Sequence, residues 1–432
     1  MRMTRLFIFV LFFILILSAP RASAQLVTGR FITSMYGWEH FDSVGVSQQY
    51  LRGFQSIALD VGKNDLSFHT QIEGAATLDS TFSKSTDLRA YYLYAKWRNI
   101  GNAVDLSVGR QPYFAGAGFG TMDGLLAKAR FGSTMQLTLY GGLPVKSDLS
   151  FDRKAQLKNS SLFGAQALIT SIKNARLGLS FTNRQRLMDG FQTTRLDQQF
   201  NPVEYFVAPE LDRMQIGSAD VAYKISLLNI YGRFDYEFLT KKTLRGQFGL
   251  SSNVNEKLSL SAEMIYRAPH IPLNSFWSVL EISNNTEIEG GADYLFSPSL
   301  RAFLRGAFIS YDDESSFRYT AGVATNNASL SYRGNSGYAG ELQSITIQGM
   351  YPFFDNMISP VLAFNYSSYK LNKSETESTS NYTAIFGATF RPMKLLSLDV
   401  QGQWLHNKIL NRDVRFFARL NVWFSEQLNL IP

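Results

Sequence analysis

Apolar and polar residues alternate one by one along many segments of the chain. In KLSLSAEMIYR (257–267) the leucines, Ala262, Met264 and Tyr266 fall on one side, opposite the serines, Glu263 and Arg267. The segments NIYGRFDYEF (229–238) and LLSLDVQGQW (395–404) follow the same pattern. Because a side-chain period of two is that of a β-strand, and no segment beyond residue 24 shows a helical period, the pattern predicts an all-β chain.

The lengths of these segments and of their connections indicate a membrane protein. The predicted strands run about 10 to 13 residues, longer than in most soluble sheets and matched to a tilted bilayer crossing. Tight connections such as 62–65 and 253–256 alternate with long polar ones, at 142–160, 184–213, 268–284 and 311–336. This asymmetry predicts a transmembrane antiparallel up-and-down β-barrel of roughly 16 to 20 strands, with short periplasmic turns, long outer loops and an aqueous lumen.

The segment VRFFARLNVWF (414–424) carries two arginines inside an otherwise apolar run. Alternation places Val414, Phe416 and the apolar residues at every second position on one face, and Arg415 and Arg419 on the other. A closed barrel accommodates both, because one face meets lipid and the other meets a wet lumen. A one-residue slip would turn both arginines toward hydrocarbon at roughly 2–4 kcal/mol each, so the pattern also determines the register.

The first residues of the chain predict export. MRMTRLFIFVLFFILILSAPRASAQ has a basic start, a short apolar core and an Ala22-Ser23-Ala24 ending, as in a cleaved secretory signal peptide. We therefore expect a signal peptide at 1–24 and a barrel at 25–432. The formal net charge of +7 falls to +4 when this segment and its three arginines are removed. So small an excess, with no dense basic run, indicates no nucleic-acid partner.

The segment VDLSVGRQPYFAGAGFGTMDGLLAKARF (104–131) resembles bacterial outer-membrane porins and related channels. It contains a strand ending in G-R-Q, a glycine-rich stretch and a D-G pair that opens the next strand. The resemblance implies a bacterial outer-membrane location, contact with outer-membrane lipid, passage of small polar solutes and assembly into a homo-oligomer such as a trimer. It also implies that the loop 111–122 bends into the lumen as a constriction, with Tyr113, Phe114 and Phe119 against the inner wall.

Charged residues on the predicted lumen face are the candidate pore-lining groups. Alternation along the strands selects Arg233, Asp235, Arg245, Glu263, Arg301, Arg305, Asp399, Arg415 and Arg419, and position beside the glycine-rich stretch adds Arg110, Lys128 and Arg130. We expect Arg30 on the first strand to lie near the last two arginines once the barrel closes, and Arg301 and Arg305 to form a second basic ladder. Basic and acidic residues nearly balance, which predicts weak ion selectivity with a slight preference for anions.

Other chemistry finds little support in the sequence. The four histidines are scattered and cysteine is absent, so neither a metal site nor any cofactor is expected. GAGFGT (116–121) lacks the lysine and the following helix of a phosphate-binding loop. No G-x-S-x-G element or Ser-His-Asp arrangement stands out, so an enzyme is not expected. A diffusion porin is the favoured function, and the alternatives are a substrate-specific channel or a structural or adhesive barrel without transport.

Overall fold

The structure is a computed structural model of the chain. It describes residues 25–41, 47–78, 86–146, 149, 159–188, 190–196, 201–269, 283–311, 314–337, 340–370, 376–408 and 412–428. The predicted signal peptide at 1–24 lies outside these residues and stays a prediction. The described residues contain no helix that is long and apolar enough to cross a membrane.

Twenty-two strands form one closed antiparallel sheet. Each strand pairs with the next along the chain, β9 pairs with β12, and β24 pairs with β1 to close the barrel, so the predicted up-and-down β-barrel is confirmed. The two remaining strands, β10 and β11, form a separate hairpin in the connection from β9 to β12. The strands are β1 (Gln25–Phe41), β2 (Ser47–Lys63), β3 (Leu66–Thr77), β4 (Thr86–Ile100), β5 (Val104–Ala115), β6 (Gly118–Phe131), β7 (Met135–Pro144), β8 (Ser161–Ile169), β9 (Ala175–Met188), β10 (Phe191–Leu196), β11 (Pro202–Val207), β12 (Glu210–Ile225), β13 (Leu228–Glu237), β14 (Lys242–Asn253), β15 (Leu258–Arg267), β16 (Asn285–Ser297), β17 (Leu300–Tyr311), β18 (Glu314–Thr325), β19 (Ala328–Gly337), β20 (Glu341–Met350), β21 (Ile358–Lys370), β22 (Thr379–Met393), β23 (Leu396–Asn407) and β24 (Arg412–Leu428).

The barrel has 22 strands, so the predicted range of 16 to 20 was wrong. The missing pair is β18 and β19, which occupy most of the region 311–336 that the sequence had assigned to a long outer loop. Their sequences, ESSFRYTAGVAT and ASLSYRGNSG, do alternate, but Ser, Ala and Gly fill many positions and weaken the apolar signal. The turn between them consists of Asn326 and Asn327, and asparagine is common in tight turns.

The two ends of the barrel differ in their connections. At the end of the barrel where β1 begins and β24 ends, ten turns of two to seven residues join successive strands. Asn64, in the turn from β2 to β3, has a positive φ of 52°, a conformation that asparagine tolerates better than most residues. The longest connections between barrel strands, 145–160, 189–209 and 268–284, lie at the opposite end, as the sequence predicts, although several links there, such as 116–117 and 312–313, are short.

Alternation separates an apolar outer face from a polar inner face. On β24, Val414, Phe416, Leu420 and Val422 are 38–40% exposed on the outer face. Large apolar side chains occupy the same face of the other strands, among them Leu179, Phe248 and Leu304. On the inner face Arg415 and Arg419 form ion pairs, which agrees with the two-faced pattern of this segment. Strands with this division of faces suit a barrel that spans a membrane.

Candidate functional site

The candidate site is the inner surface of the barrel, where charged groups on the same or neighbouring strands pair with one another. We call the inner face of β13–β18 the ion-paired wall; it carries Arg233, Asp235, Arg245, Glu263, Arg267, Glu287, Glu289, Asp293, Arg305 and Arg318. Arg318 contacts Glu287 and lies 2.9 Å from Glu289, while Arg267 lies 3.0 Å from Glu287. Opposite charges therefore neutralise one another along this wall, which leaves a rigid polar surface of small net charge.

The predicted members of this wall are held in the same way. Arg233 binds Asp235 at 2.9 Å, Arg305 contacts Asp293, and Arg245 reaches Glu263 through Gln247. Arg301 lies on the same strand as Arg305 but has no ion pair with any described residue. The expected basic ladder of Arg301 and Arg305 is therefore partly neutralised, because Arg305 faces a carboxylate on the neighbouring strand.

Aromatic residues concentrate on the other side of the lumen. We call the inner face of β24 and β1–β4 the aromatic wall; its rings are Tyr36, Trp38, Tyr50, Phe54, Tyr92, Tyr94, Phe417 and Trp423. Trp38 stacks on Tyr50 with ring centroids 4.5 Å apart and an interplanar angle of 10°. Cross-strand pairing produces this contact, because Trp38 on β1 lies opposite Tyr50 on β2 and Arg415 on β24. Sequence analysis missed this surface, although alternation in YLRGF (50–54) puts Tyr50 and Phe54 on one face.

Arginines are interleaved with these rings. Arg415 forms a 2.6 Å ion pair with Asp413, and Arg419 lies 3.0 Å from Asp399, which Thr389 and Asn421 also contact. Arg30 lies opposite Trp423, four residues along β24 from Arg419. The barrel closure does bring Arg30 to the neighbouring strand, but the register places an aromatic ring, and not an arginine, beside it.

The segment 111–122, which the resemblance to porins implied to be a loop, is a β-hairpin formed by the ends of β5 and β6. β5 stops pairing with β4 after Arg110, and β6 stops pairing with β7 at Met122, whereas β5 and β6 pair with each other up to Ala115 and Gly118. Beyond those points the hairpin leaves the barrel wall. Gly109, with φ of 125°, lies where the hairpin departs and adopts a conformation that suits glycine.

The hairpin tip lies inside the barrel, against the inner face of β7–β9. Tyr113 packs on Tyr140 of β7 with ring centroids 4.8 Å apart, within a buried cluster that includes Met122 and Leu162. The backbone N–H of Ala117 donates a 2.8 Å hydrogen bond to the Ser180 hydroxyl on β9. These contacts reach across three strands and fix the tip to the wall.

Glycine makes the closest of these approaches feasible. Gly116 has a φ of 64°, and a Cβ atom at this position would lie 2.0 Å from the Ser180 hydroxyl oxygen. Its carbonyl oxygen accepts a 3.4 Å hydrogen bond from Arg233, so the tip extends to the edge of the ion-paired wall. The glycine-rich composition of this segment thus permits backbone contact with the inner wall.

The two faces of the hairpin differ sharply in exposure. Tyr113 is 4% exposed against the wall, whereas Phe114 and Phe119, which pair across the hairpin, are 76% and 72% exposed. Because the opposite face is buried on the barrel wall, both phenylalanine rings point toward the open lumen. Only Tyr113 of the three predicted aromatic residues packs on the inner wall.

The remaining predicted groups fall into two environments. Arg110 is 7% exposed; it forms a bidentate ion pair with Asp123 and donates to the carbonyl oxygens of Ala90 and Leu149. It therefore fastens the base of the hairpin and does not line the pore. Arg130 pairs with Asp105 at 2.8 Å on the inner face of the barrel, and Lys128, on the same face of β6, has no ion pair among the described residues.

No group of three or more His, Asp or Glu side chains in the described part of the chain could hold a metal ion. Many charged groups of the lumen instead form ion pairs and hydrogen bonds with one another. Such an arrangement can hydrate, bind or sort a solute that passes through the lumen.

Comparisons with known proteins identify the class of fold. No protein-family model matches the chain, and no curated protein does. A ferric enterobactin receptor, PfeA, from Pseudomonas aeruginosa aligns with 91% of this chain and 80% of its own at 10% identity and a TM-score of 0.55. The chain is also similar to OccAB4 of Acinetobacter baumannii, at 10% identity and a TM-score of 0.45, over 94% of this chain and 100% of that one. It is similar as well to OccK7 of Pseudomonas aeruginosa, at 12% identity and a TM-score of 0.41, over 93% of this chain and 100% of that one. At such identity the similarity to the receptor shows the fold alone, and the chain has the fold of an outer-membrane β-barrel.

Proposed function

We propose that the protein is an outer-membrane channel through which small polar or anionic solutes diffuse passively. The observation that carries this proposal is the closed 22-stranded barrel with apolar residues outside and charged residues inside. A barrel of this width cannot be filled by side chains from its own wall, so water occupies the space between the two walls. The inward hairpin of β5 and β6 would narrow that space and limit the size of the solute.

Weak anion preference follows from the pairing of charges. Most arginines of the lumen face a carboxylate, while Arg301 and Lys128 have no such partner among the described residues. A small excess of positive potential favours anions slightly, since fully paired groups contribute little field at a distance. Association into a homo-oligomer, such as a trimer, stays a prediction.

Single-channel recording on the purified protein in a planar lipid bilayer tests the proposal. We expect stepwise, ohmic conductance that does not require a ligand. A substrate-specific channel would also conduct, but its ion current would be blocked by one class of solute. A structural or adhesive barrel would insert without conducting, and that result would refute the proposal.

A further inference from the structure

We propose that Ser67, His69 and Asp60 form a hydrolytic site on the inner face of the barrel, which cleaves small soluble carboxylic esters. Asp60 lies on β2, and Ser67 and His69 lie on β3, close to the short turn that joins these two strands. Ester cleavage goes beyond passive diffusion through the channel. It rests on the barrel fold and on the contacts among these three side chains, and it does not depend on conduction.

The register of β2, β3 and β4 brings the site together. Asp60 is paired with His69 across β2 and β3, and His69 is paired with Tyr94 on β4. Because Tyr94 belongs to the inner face of the barrel, His69 and Asp60 lie on that face as well. Ser67 is two residues from His69, so alternation places both side chains on the same side of β3. The sequence shows only a serine and a histidine two positions apart, and strand pairing adds the carboxylate.

Two hydrogen bonds connect the three side chains in series. The Nδ1 atom of His69 contacts a carboxylate oxygen of Asp60, and Nε2 lies 2.9 Å from the Ser67 hydroxyl oxygen. An ionised carboxylate can only accept a hydrogen bond, so Nδ1 of the neutral ring carries the proton and Nε2 keeps a lone pair. The Ser67 hydroxyl therefore donates to Nε2. In this arrangement a histidine base activates a serine hydroxyl, and a carboxylate orients the histidine.

The imidazole ring is held in place, while the site stays open to the lumen. Tyr94 stacks on His69 with ring centroids 4.8 Å apart and an interplanar angle of 21°. The His69 side chain is 17% exposed and that of Asp60 is 51% exposed, while Ser67 is half-buried. His69 thus has the fixed orientation that proton transfer requires, and water and small solutes can reach the site.

A cation faces the serine from the next strand. Lys96 on β4 is paired directly with Ser67, and it has no ion pair with any described residue. Side chains at paired positions have Cβ atoms about 4.5–5.5 Å apart, which a lysine ammonium group can span. The sheet uses the backbone N–H groups of these strands, so a side chain has to stabilise the negative oxygen that forms during acyl transfer. Lys96 supplies the positive charge for that role.

The reaction is transfer of the acyl group to Ser67, followed by hydrolysis. The Ser67 oxygen attacks the ester carbonyl carbon as its proton moves to Nε2 of His69. The bond from the acyl carbon to the alcohol oxygen then breaks, and the alcohol leaves with that proton. A water molecule next attacks the acyl carbon and gives a proton to Nε2, which returns it to the Ser67 oxygen as the carboxylic acid leaves. Asp60 is a positioning residue, because it orients the imidazole ring without contacting the ester.

Labelling of the purified protein in detergent micelles by a fluorophosphonate tests the inference. Such a probe forms a phosphorus–oxygen bond with an activated serine and releases fluoride. We expect mass spectrometry to find the probe on Ser67. We also expect hydrolysis of p-nitrophenyl acetate, with an initial burst of p-nitrophenolate as the acyl-enzyme forms. Ser67→Ala should abolish the labelling and lower the rate of hydrolysis about a hundredfold or more, as loss of a triad nucleophile does.

Matched variants separate catalysis from the structure of the wall. His69→Ala should also abolish the labelling, whereas a serine that reacts without a base would keep it. Asp60→Asn should lower kcat about tenfold or more and leave KM unchanged, because it disturbs the orientation of His69 and not the binding of the ester. Ser34→Ala removes an inner-face serine of β1 that is paired with Phe54 and Arg419, and should change neither the labelling nor the rate.

Two results would overturn the inference: a fluorophosphonate that does not label Ser67, or hydrolysis that continues at the parent rate in Ser67→Ala. A protein that conducts ions but shows neither reaction would retain the channel function and lose the hydrolytic one. A protein that is labelled at Ser67 but carries no current would refute the channel and leave the hydrolytic site in place, so the two failures are distinguishable.

Discussion

The two walls of the lumen show two ways in which a barrel can keep its inner surface polar and ordered. On the ion-paired wall, Arg318 joins Glu287 and Glu289 into a network that leaves few groups free for a solute. On the aromatic wall, aromatic rings lie between the charged groups and stack on one another, as Trp38 does on Tyr50, or lie under an arginine, as Phe417 does under Arg419. Both walls pair their charges, but the first does so in a network that connects several strands, whereas the second has separate ion pairs with aromatic rings between them. The hairpin of β5 and β6 lies toward the ion-paired side, where it touches Arg233, and leaves the aromatic wall accessible.

Among the changes considered, removal of the hairpin tip should have the largest effect, an increase in conductance. We expect replacement of residues 113–120 by an Asn-Gly turn to raise single-channel conductance about twofold or more, since the tip occupies the lumen. Asn-Gly suits the tight turn that would then join the paired residues Pro112 and Thr121. Unchanged conductance in a correctly folded variant would show that the tip does not restrict ion flow.

Loss of positive charge from the aromatic wall should have the second-largest effect, a change in ion selectivity. With Arg415→Gln and Arg419→Gln together, Asp413 and Asp399 lose their partners, so the wall becomes acidic. Reversal potentials in a salt gradient should move toward cation preference, by an amount that shrinks at high ionic strength. Glutamine is preferable to glutamate here because it adds no further carboxylate beside Asp413. Arg267→Gln, which acts within the ion-paired wall, should shift the potential less, because Arg318 still neutralises Glu287.

Disruption of the ion-paired network should reduce stability moderately. Arg318→Gln would leave two neighbouring carboxylates with only Arg267 to balance them, and we expect a loss of about 1–2 kcal/mol in the free energy of unfolding. Denaturant titration of the protein in detergent micelles measures it. The matched change Arg301→Gln removes an arginine that has no ion pair among the described residues. If both variants lost the same free energy of unfolding, the stabilising role assigned to the network would be wrong.

The exposed phenylalanines of the hairpin should give the smallest effect on stability. Because Phe114 and Phe119 are largely exposed to the lumen, their joint replacement by alanine should change the free energy of unfolding by less than about 0.5 kcal/mol. The conductance should rise slightly. Tyr113→Ala, on the buried face of the same hairpin, should cost about 2–4 kcal/mol and serves as the contrast.

Much of this arrangement can be predicted from residue alternation alone. The two faces of β24 and the inward direction of Arg415 and Arg419 follow from a period of two, because a strand in a closed barrel has one wet and one apolar side. The pair β18 and β19 could not be found so easily, since small residues such as Ala321 and Gly322 satisfy the alternation without a strong apolar signal.

Contacts between distant strands lie beyond a single-sequence pattern. The docking of Tyr113 on Tyr140 and of Gly116 on Ser180 depends on a hairpin that leaves its sheet, and residue alternation does not show which strands the hairpin tip contacts. The alignment of Trp38 with Arg415 depends on the register of the first strand against the last. Alternation excludes a slip by one residue but not by two, and the remaining choice follows from the strand number and tilt of the whole barrel.

The pairing of β1 with β24 has a consequence for how the protein folds. These strands lie at opposite ends of the sequence, so their contact is the most non-local in the barrel and pays the largest loop-closure entropy. The aromatic wall spans this seam, with Trp423 on one side and Trp38 on the other. Its contacts across the seam form only when the barrel closes, whereas the Trp38–Tyr50 stack forms with the β1–β2 hairpin. Fluorescence of Trp423, in a variant without the other four tryptophans, would therefore report closure separately from the formation of the hairpins.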